Sequence, residues 1–319
     1  MNKLERAIIA TLIYYDSLDR PLTAVETFKY LANSKSQISF FEFSQTLKES
    51  ARLKKVVGCR DGLYFLKNRS LLIGLREKRL KCSQLKWKTL KKTVKWLALA
   101  PFVELVAVTG SLTAYNTRQS SDFDLLVVTQ KKRLWNARLA ITLLSSLLSR
   151  RRHGQLTKDR LCLNCYLAAG SLKISPQAKT RDFHSAQEYG RLTPVLEIKP
   201  RLYGQFIAAN AWIGKYLNFY PWPNALGARQ IKASRFSAPL RRFFEWPLAN
   251  RAGDWLEREL GNWQKRRISQ KHAAETEPAD QVYVSDTCLM FHPQSKSYRL
   301  MQDFNMRLAK IKSICSQSR

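Results

Sequence analysis

Apolar positions divide the chain into stretches of different period. Leu4, Ile8, Leu12 and Tyr15 recur at helical spacing. A turn at Asp19-Arg20-Pro21 precedes a second helix, with Thr23 as N-cap, Glu26 completing a capping box, and Phe28 and Leu31 on its apolar face. Ser39 can cap a third helix carrying Phe40, Phe43 and Leu47, and Asp61-Gly62 between two apolar runs reads as a hairpin turn. Residues 69 to 98 form one long helix with Leu71, Leu72, Leu75 and Leu80 as its apolar stripe. The pattern then changes to buried-type strands at Leu105–Val108 and Leu125–Val128, a helix from Leu134 to Leu148, a strand from Arg160 to Leu167, and a helical stretch from Ser185 that runs to Pro194. After about 200 the chain reads as mainly helical. Trp212, Trp222, Trp246, Trp255 and Trp263 sit at loop-like positions, 269–281 is a polar loop, and Met301–Ile314 is a short basic helix.

The fold class is therefore α+β. We divide the chain into residues 1–68, a connecting helix over 69–98, a small mixed-sheet domain with flanking helices over 99–200, and a mainly helical region over 201–319. Three helices followed by a hairpin in residues 1–68 resemble a winged-helix domain. In such domains the third helix often enters a DNA groove, but Phe40, Phe41, Glu42, Phe43 and Glu49 with only Lys48 are poor groove chemistry. A protein contact or RNA positioning fits this helix at least as well as reading DNA sequence.

Charge changes the picture most. Against 24 acidic residues stand 55 Lys and Arg, a net charge of +31. Such an excess repels itself in the compact state, and an anionic partner relieves it. Arg69, Arg76, Lys78, Arg79, Lys81, Lys86, Lys88, Lys91, Lys92 and Lys95, with Trp87 and Trp96 interleaved, make the 69–98 helix the best local candidate for phosphate contact, and RNA the expected partner. No stretch is long and apolar enough to span a membrane, and the N-terminus does not read as a leader. No segment combines a clean apolar face with an acylation site, so membrane docking ranks last among the partners. The scattered cysteines suit a reducing cytoplasm. Cys162 and Cys165 form a C-x-x-C on an expected strand, where they face opposite sides as structural cysteines.

The segment with chemistry runs from Leu105 to Thr129. A strand ends at Gly110-Ser111, a short helical turn and a polar loop follow, and Asp122-Phe123-Asp124 opens the next strand. Residues i and i+2 of a strand point to one face, so Asp122 and Asp124 present two carboxylates together while Phe123 turns into the core. Two such acids repel unless a cation sits between them, and oxygen ligands suit Mg²⁺. Gly110 lets backbone approach a ligand, and Ser111 and Ser121 offer hydroxyls beside a phosphate cradle. Gly-Ser, ten residues, then Asp-x-Asp between apolar runs resembles the DNA polymerase beta-like nucleotidyltransferase superfamily. The resemblance covers about residues 100 to 170.

It implies Gly110, Ser111 and Ser121 as holders of a nucleoside triphosphate such as ATP, Asp122 and Asp124 as ligands of Mg²⁺ or Mn²⁺, and transfer of a nucleoside monophosphate to a hydroxyl with release of pyrophosphate. Many members carry a third carboxylate on a later strand. Asn164 stands where that acid is expected, which leaves Asp159 and Glu188 as candidates for the catalytic role. His184 and Glu188 read as a surface helix pair, and His292 before Pro293 as a structural turn residue. The alternative is a catalytically degenerate member that serves as a nucleic-acid-binding module.

Overall fold

The computed structural model describes residues 1–33, 37–222, 229–231, 236–272, 281–292 and 296–316. Helix α1 (Lys3–Asp16) buries Leu4, Ile8, Leu12 and Tyr15, the positions its periodicity marks. After the short strand β1 (Leu22–Thr23), helix α2 (Ala24–Lys29) starts at the Thr23–Glu26 capping box, with both reciprocal hydrogen bonds present. Helix α3 (Phe40–Glu49) begins at Ser39, whose hydroxyl accepts from the Glu42 amide. It stops at Ser50, which caps a further helix, α4 (Ala51–Val56), that the apolar pattern does not mark. Strands β2 (Val57–Arg60) and β3 (Leu63–Leu66) join through Asp61 and Gly62, both at positive φ, the two-residue turn that asparagine- or aspartate-glycine pairs favour. The strand order of this first sheet is β1-β3-β2.

Helix α5 (Leu72–Leu97) spans most of the expected range but packs through a different stripe. Leu71 is 91% exposed, and Leu75 and Leu80 are only half-buried. Leu72 is buried as expected, and the buried line continues through Arg79, Ser83, Lys86, Trp87, Leu90, Thr93, Val94 and Leu97. The reason is hydrogen bonding: Arg79 donates to the Leu18 carbonyl and Asn116, Ser83 bonds the Thr117 hydroxyl, and Lys86 donates to the Ser121 carbonyl. The polar residues of this helix thus hold the loop between Gly110 and Asp122. Arg79 and Lys86 belong to that scaffold, and Lys78, Lys81, Lys88, Lys92 and Lys95 remain on its exposed side.

A six-stranded mixed sheet forms the centre. Its elements in chain order are β4 (Val103–Val108), the single-turn α6 (Gly110–Thr113), β5 (Phe123–Thr129), α7 (Leu134–Leu147), β6 (Leu161–Ala168), α8 (Phe183–Gly190), β7 (Thr193–Glu197), α9 (Leu202–Ala209), α10 (Ser237–Glu245), α11 (Arg251–His272), β8 (Gln281–Val284), β9 (Cys288–His292) and α12 (Lys296–Ser316). The order across the sheet is β7-β4-β5-β6-β9-β8, with β5 and β6 parallel and every other pair antiparallel.

Several expectations change here. Helix α8 ends at Gly190, and Pro194 lies in β7, an edge strand where a residue without an N–H is tolerated. The region after 200 is mainly helical, but β8 and β9 within it extend the central sheet across the boundary we drew at 200. His292 is the last residue of β9, and Pro293 lies outside the described residues. Of the expected loop 269–281, helix α11 takes residues up to His272, β8 begins at Gln281, and 273–280 lie outside the described residues.

Each face of the sheet is covered. Leu105, Ala107, Leu126, Val128 and Leu167 pack against α1, α8 and α9, in the same cluster that holds the core of residues 4–64. Val106, Val108, Phe123, Leu125 and Val127 pack against Trp87 and Leu90 of α5, Trp135 of α7 and Ile268 of α11. Residues 1–68 therefore share a core with the sheet. Tyr15 donates to Gln187 of α8 and accepts from Arg191, and the Tyr14 hydroxyl bonds Nδ1 of His184 at 2.9 Å. His184 is thus not part of a solvated surface pair. Burial, more than the opposing Glu188 charge, pushes its imidazole down to about 4.

Candidate active site

Strand β4 ends at Thr109, whose amide donates to the Asp124 carbonyl at 3.0 Å. The chain turns at Gly110 with φ +69°, a left-handed conformation that favours glycine. Space demands glycine as well: a Cβ at Gly110 would lie 2.5 Å from Oδ2 of Asp124. The Gly-Ser corner and the second aspartate are therefore in direct van der Waals contact. Ser111 follows in α6, which has only four residues, so close backbone approach contributes more here than a helix dipole. The loop to Asp122 is held from behind. Asn116 donates to the Leu18 carbonyl, and the Ser121 hydroxyl accepts from the Arg118 amide at 2.9 Å. Ser121 closes this turn, a structural task beside the ligand role expected for it.

Asp122 precedes β5 and Asp124 is its second residue, with Phe123 fully buried on the opposite face. Ligand atoms of Asp122, Asp124 and Cys162 all lie within 4.8 Å of one another, the one such group among the described residues. The third member comes from β6. Asp124 pairs with Cys162, and Leu126 pairs with Cys165, so β6 carries one extra residue between the two pairings. That bulge puts both cysteines in register with residues of a single face, and the expectation that their side chains oppose each other does not hold. Cys165 is buried in the core, whereas Cys162 faces the two acids. Its thiol bonds Asp124, and burial, then the two neighbouring aspartates, pushes it up to about 12.

Asn164 lies one side chain further along and donates to Oδ1 of Asp124 at 3.3 Å. Burial raises Asp124 to about 7, helped by the charges of Asp122 and Glu188 and opposed by Arg152. Arg152 donates to Oδ2 of Asp122 at 2.6 Å and to the Cys162 sulfur at 3.4 Å. In the sequence Cys162 reads as a structural cysteine and Arg152 has no assigned role. The run Arg150-Arg151-Arg152, in the loop between α7 and β6, was the available signal for Arg152. For Cys162, the bulge has no local signature.

The two candidate third acids have separate fates. Asp159 forms an ion pair with buried Lys86 at 2.7 Å and is not in the Asp122–Asp124–Cys162 group. Glu188, on α8, lines the same cleft as Asp124 and lies 3.3 Å from Lys179. That cleft has a volume of about 870 Å³. Its floor is Asp124, Cys162 and Asn164, and its walls come from α7, α8, α11 and the 151–154 loop. Arg138, Arg151, Arg152, Lys179, Arg267 and Lys271 line it, against Asp124 and Glu188 as acids. A few carboxylates at the bottom of a cationic cleft can hold a divalent cation beside a polyphosphate. No protein-family model, no curated protein and no solved structure matches the chain.

Proposed function

We propose that this cleft is the reaction site of a nucleotidyltransferase of the polymerase beta-like kind. It moves a nucleoside monophosphate from a nucleoside triphosphate to a hydroxyl acceptor, with RNA as the acceptor class and pyrophosphate as the leaving group. The observation that carries this reading is the contact of Gly110 with Asp124 at the point where Asp122 and Cys162 converge. A phosphate lodged against Gly110 would lie beside both carboxylates.

The donor set fits a divalent cation. Burial and two neighbouring carboxylates raise Asp124, and a bound cation would relieve that repulsion. Asp122 and Asp124 would hold Mg²⁺ or Mn²⁺, which supplies charge neutralisation at the transferring phosphoryl group. The Cys162 sulfur adds a donor that suits Mn²⁺ better than Mg²⁺. Arg152 competes with a cation for Asp122 and Cys162. Arg138, Arg151, Arg267 and Lys271 give the triphosphate and the acceptor backbone a positive surface. Glu188 is the acid best placed to receive the acceptor's proton, since it lines the cleft, although paired with Lys179, whereas Asp159 is held by Lys86 away from the cleft lining.

Helix and strand order in residues 3–66, with the β1-β3-β2 sheet, supports the winged-helix reading of that part. The exposed lysines of α5 support RNA contact.

The test is Mg²⁺- or Mn²⁺-dependent incorporation of labelled nucleotide into RNA, abolished in Asp122→Ala. The Arg152–Asp122 bond and the loss of Asp159 to Lys86 favour a second reading, a non-catalytic RNA-binding protein on the same fold. In that case no nucleotide is incorporated, while RNA affinity falls by roughly 10³-fold between about 50 and 200 mM salt in wild type and Asp122→Ala alike.

A further inference from the structure

Helix α10 is amphipathic in the reverse sense for a globular protein. Its polar side is fastened to the molecule: Glu245, ion-paired with Arg241 within the helix, accepts from the Phe102 amide at 2.8 Å. The elements that follow are fastened in the same way. Asp254 pairs with Arg133 at 2.6 Å, and the Glu257 carboxylate accepts from the amides of Trp135 and Asn136 at 2.7 and 2.9 Å. A Cβ at Gly253 would collide with the Leu248 carbonyl, so the corner between α10 and α11 is closely packed. The apolar side faces outward. Leu240, Phe243 and Phe244 share one side of α10, and Trp246 directly after it and Trp255 on α11 are exposed as well. Phe243 is 70% exposed and Trp246 81%, and five large apolar residues are exposed within 240–255, against pairs such as Leu143 with Leu147 and Phe40 with Phe41 elsewhere. Apolar patches of this density mark contact sites.

We infer that residues 240–255 dock the protein on an anionic lipid surface, with Leu240, Phe243, Trp246 and Trp255 at headgroup level. Charge selects this occupant. Arg242 and Arg251 are exposed along this segment, whose one exposed acid, Asp254, is paired with Arg133, within a chain of net charge +31. Aromatic and leucine side chains beside arginine are the composition of helices that lie in a membrane interface. No described helix is long and apolar enough to cross a membrane, so the contact is peripheral and reversible. The surface lies outside the cleft residues and does not depend on the proposed reaction.

The test is sedimentation of the full chain with vesicles of phosphatidylcholine alone and of phosphatidylcholine mixed with phosphatidylglycerol. Wild type is expected to bind the mixed vesicles with a blue shift of tryptophan emission. The double variant Phe243→Ser, Trp246→Ser is expected to bind at least about tenfold more weakly. Arg242→Ala is expected to bind about three- to tenfold more weakly, on anionic vesicles only. Leu71→Ser, at an equally exposed site on α5, keeps wild-type binding, and circular dichroism of each variant establishes that it is folded. Equal binding of wild type and the double variant would overturn the inference, because diffuse charge would then be sufficient. Failure of wild type to bind would do the same. So would a wild-type dimer that the double variant abolishes, since a second copy would then cover the face.

Discussion

Asp124 and Asp159 stand near the starts of neighbouring parallel strands, β5 and β6, and meet opposite surroundings. Asp159 sits at φ +56° with its carboxylate on the buried Lys86 ammonium, which also bonds the Ser121 carbonyl. That charge is answered within the chain and stabilises a loop. Asp124 has no lysine partner. It faces Asp122, Cys162 and, across the cleft, Glu188, and its carboxyl is pushed up to about 7. An acid matched by its own chain serves the fold, while an acid gathered among other acids is set to receive positive charge from outside. This distinction separates Asp124 from Asp159; Asp122 and Glu188 stand between them, each paired with a cation, Arg152 and Lys179, that lines the cleft.

Substitutions can break or sharpen the comparison. Asp124→Ala should lower nucleotide incorporation by about 10³-fold or more while the melting temperature stays level or rises, because a repelled carboxylate is removed. Gly110→Ala should cost about 10²-fold in incorporation and about 2 kcal/mol in denaturant-monitored stability, because the new Cβ displaces Asp124. Lys86→Met should destabilise by about 2 kcal/mol in the same unfolding measurement, since it strands Asp159 and the Ser121 carbonyl.

His184 extends the contrast to a base that burial keeps neutral. Its folded value of about 4 lies below the ordinary 6.5, so between those pH values the unfolded chain binds the extra proton. Stability should therefore fall by about 3 kcal/mol as pH drops from above 6.5 through 4. His184→Gln should flatten that part of a melting-temperature profile. The smallest effect is expected for Asp159→Asn, which should keep incorporation within about threefold of wild type. A loss comparable to that of Asp124→Ala would return Asp159 to the reacting groups and dissolve the contrast.

The elements most legible in the sequence were those with local causes. The Thr23 and Ser39 caps, the Asp61-Gly62 turn and the Asp-x-Asp strand entry depend on residues a few positions apart, and the structure contains each one. Errors came where distant parts decide. The buried stripe of α5 includes Arg79, Ser83 and Lys86 because the 116–121 loop and the Leu18 carbonyl supply their partners. Strand β7 and the β8–β9 hairpin exist by pairing with strands far away in the chain. For the candidate site, Gly110, Asp122 and Asp124 were legible together. Cys162 was assigned to the fold, Arg152 went unnoticed, and the cleft wall from α11 cannot be read without knowing that this helix packs on α7.

The irregularity in β6 has a consequence for how the molecule tolerates change. Without the additional residue between positions 162 and 165, strict alternation would make one end of the strand dictate the orientation of the other. With it, Cys165 and Leu167 are set by the apolar interior while Cys162 and Asn164 are set by the cleft. Either half can accept substitutions without reorienting its neighbour. A one-residue deletion at 163 or 164 would couple the halves again, rotating either the thiol at 162 away from the acids or the thiol at 165 out of the interior.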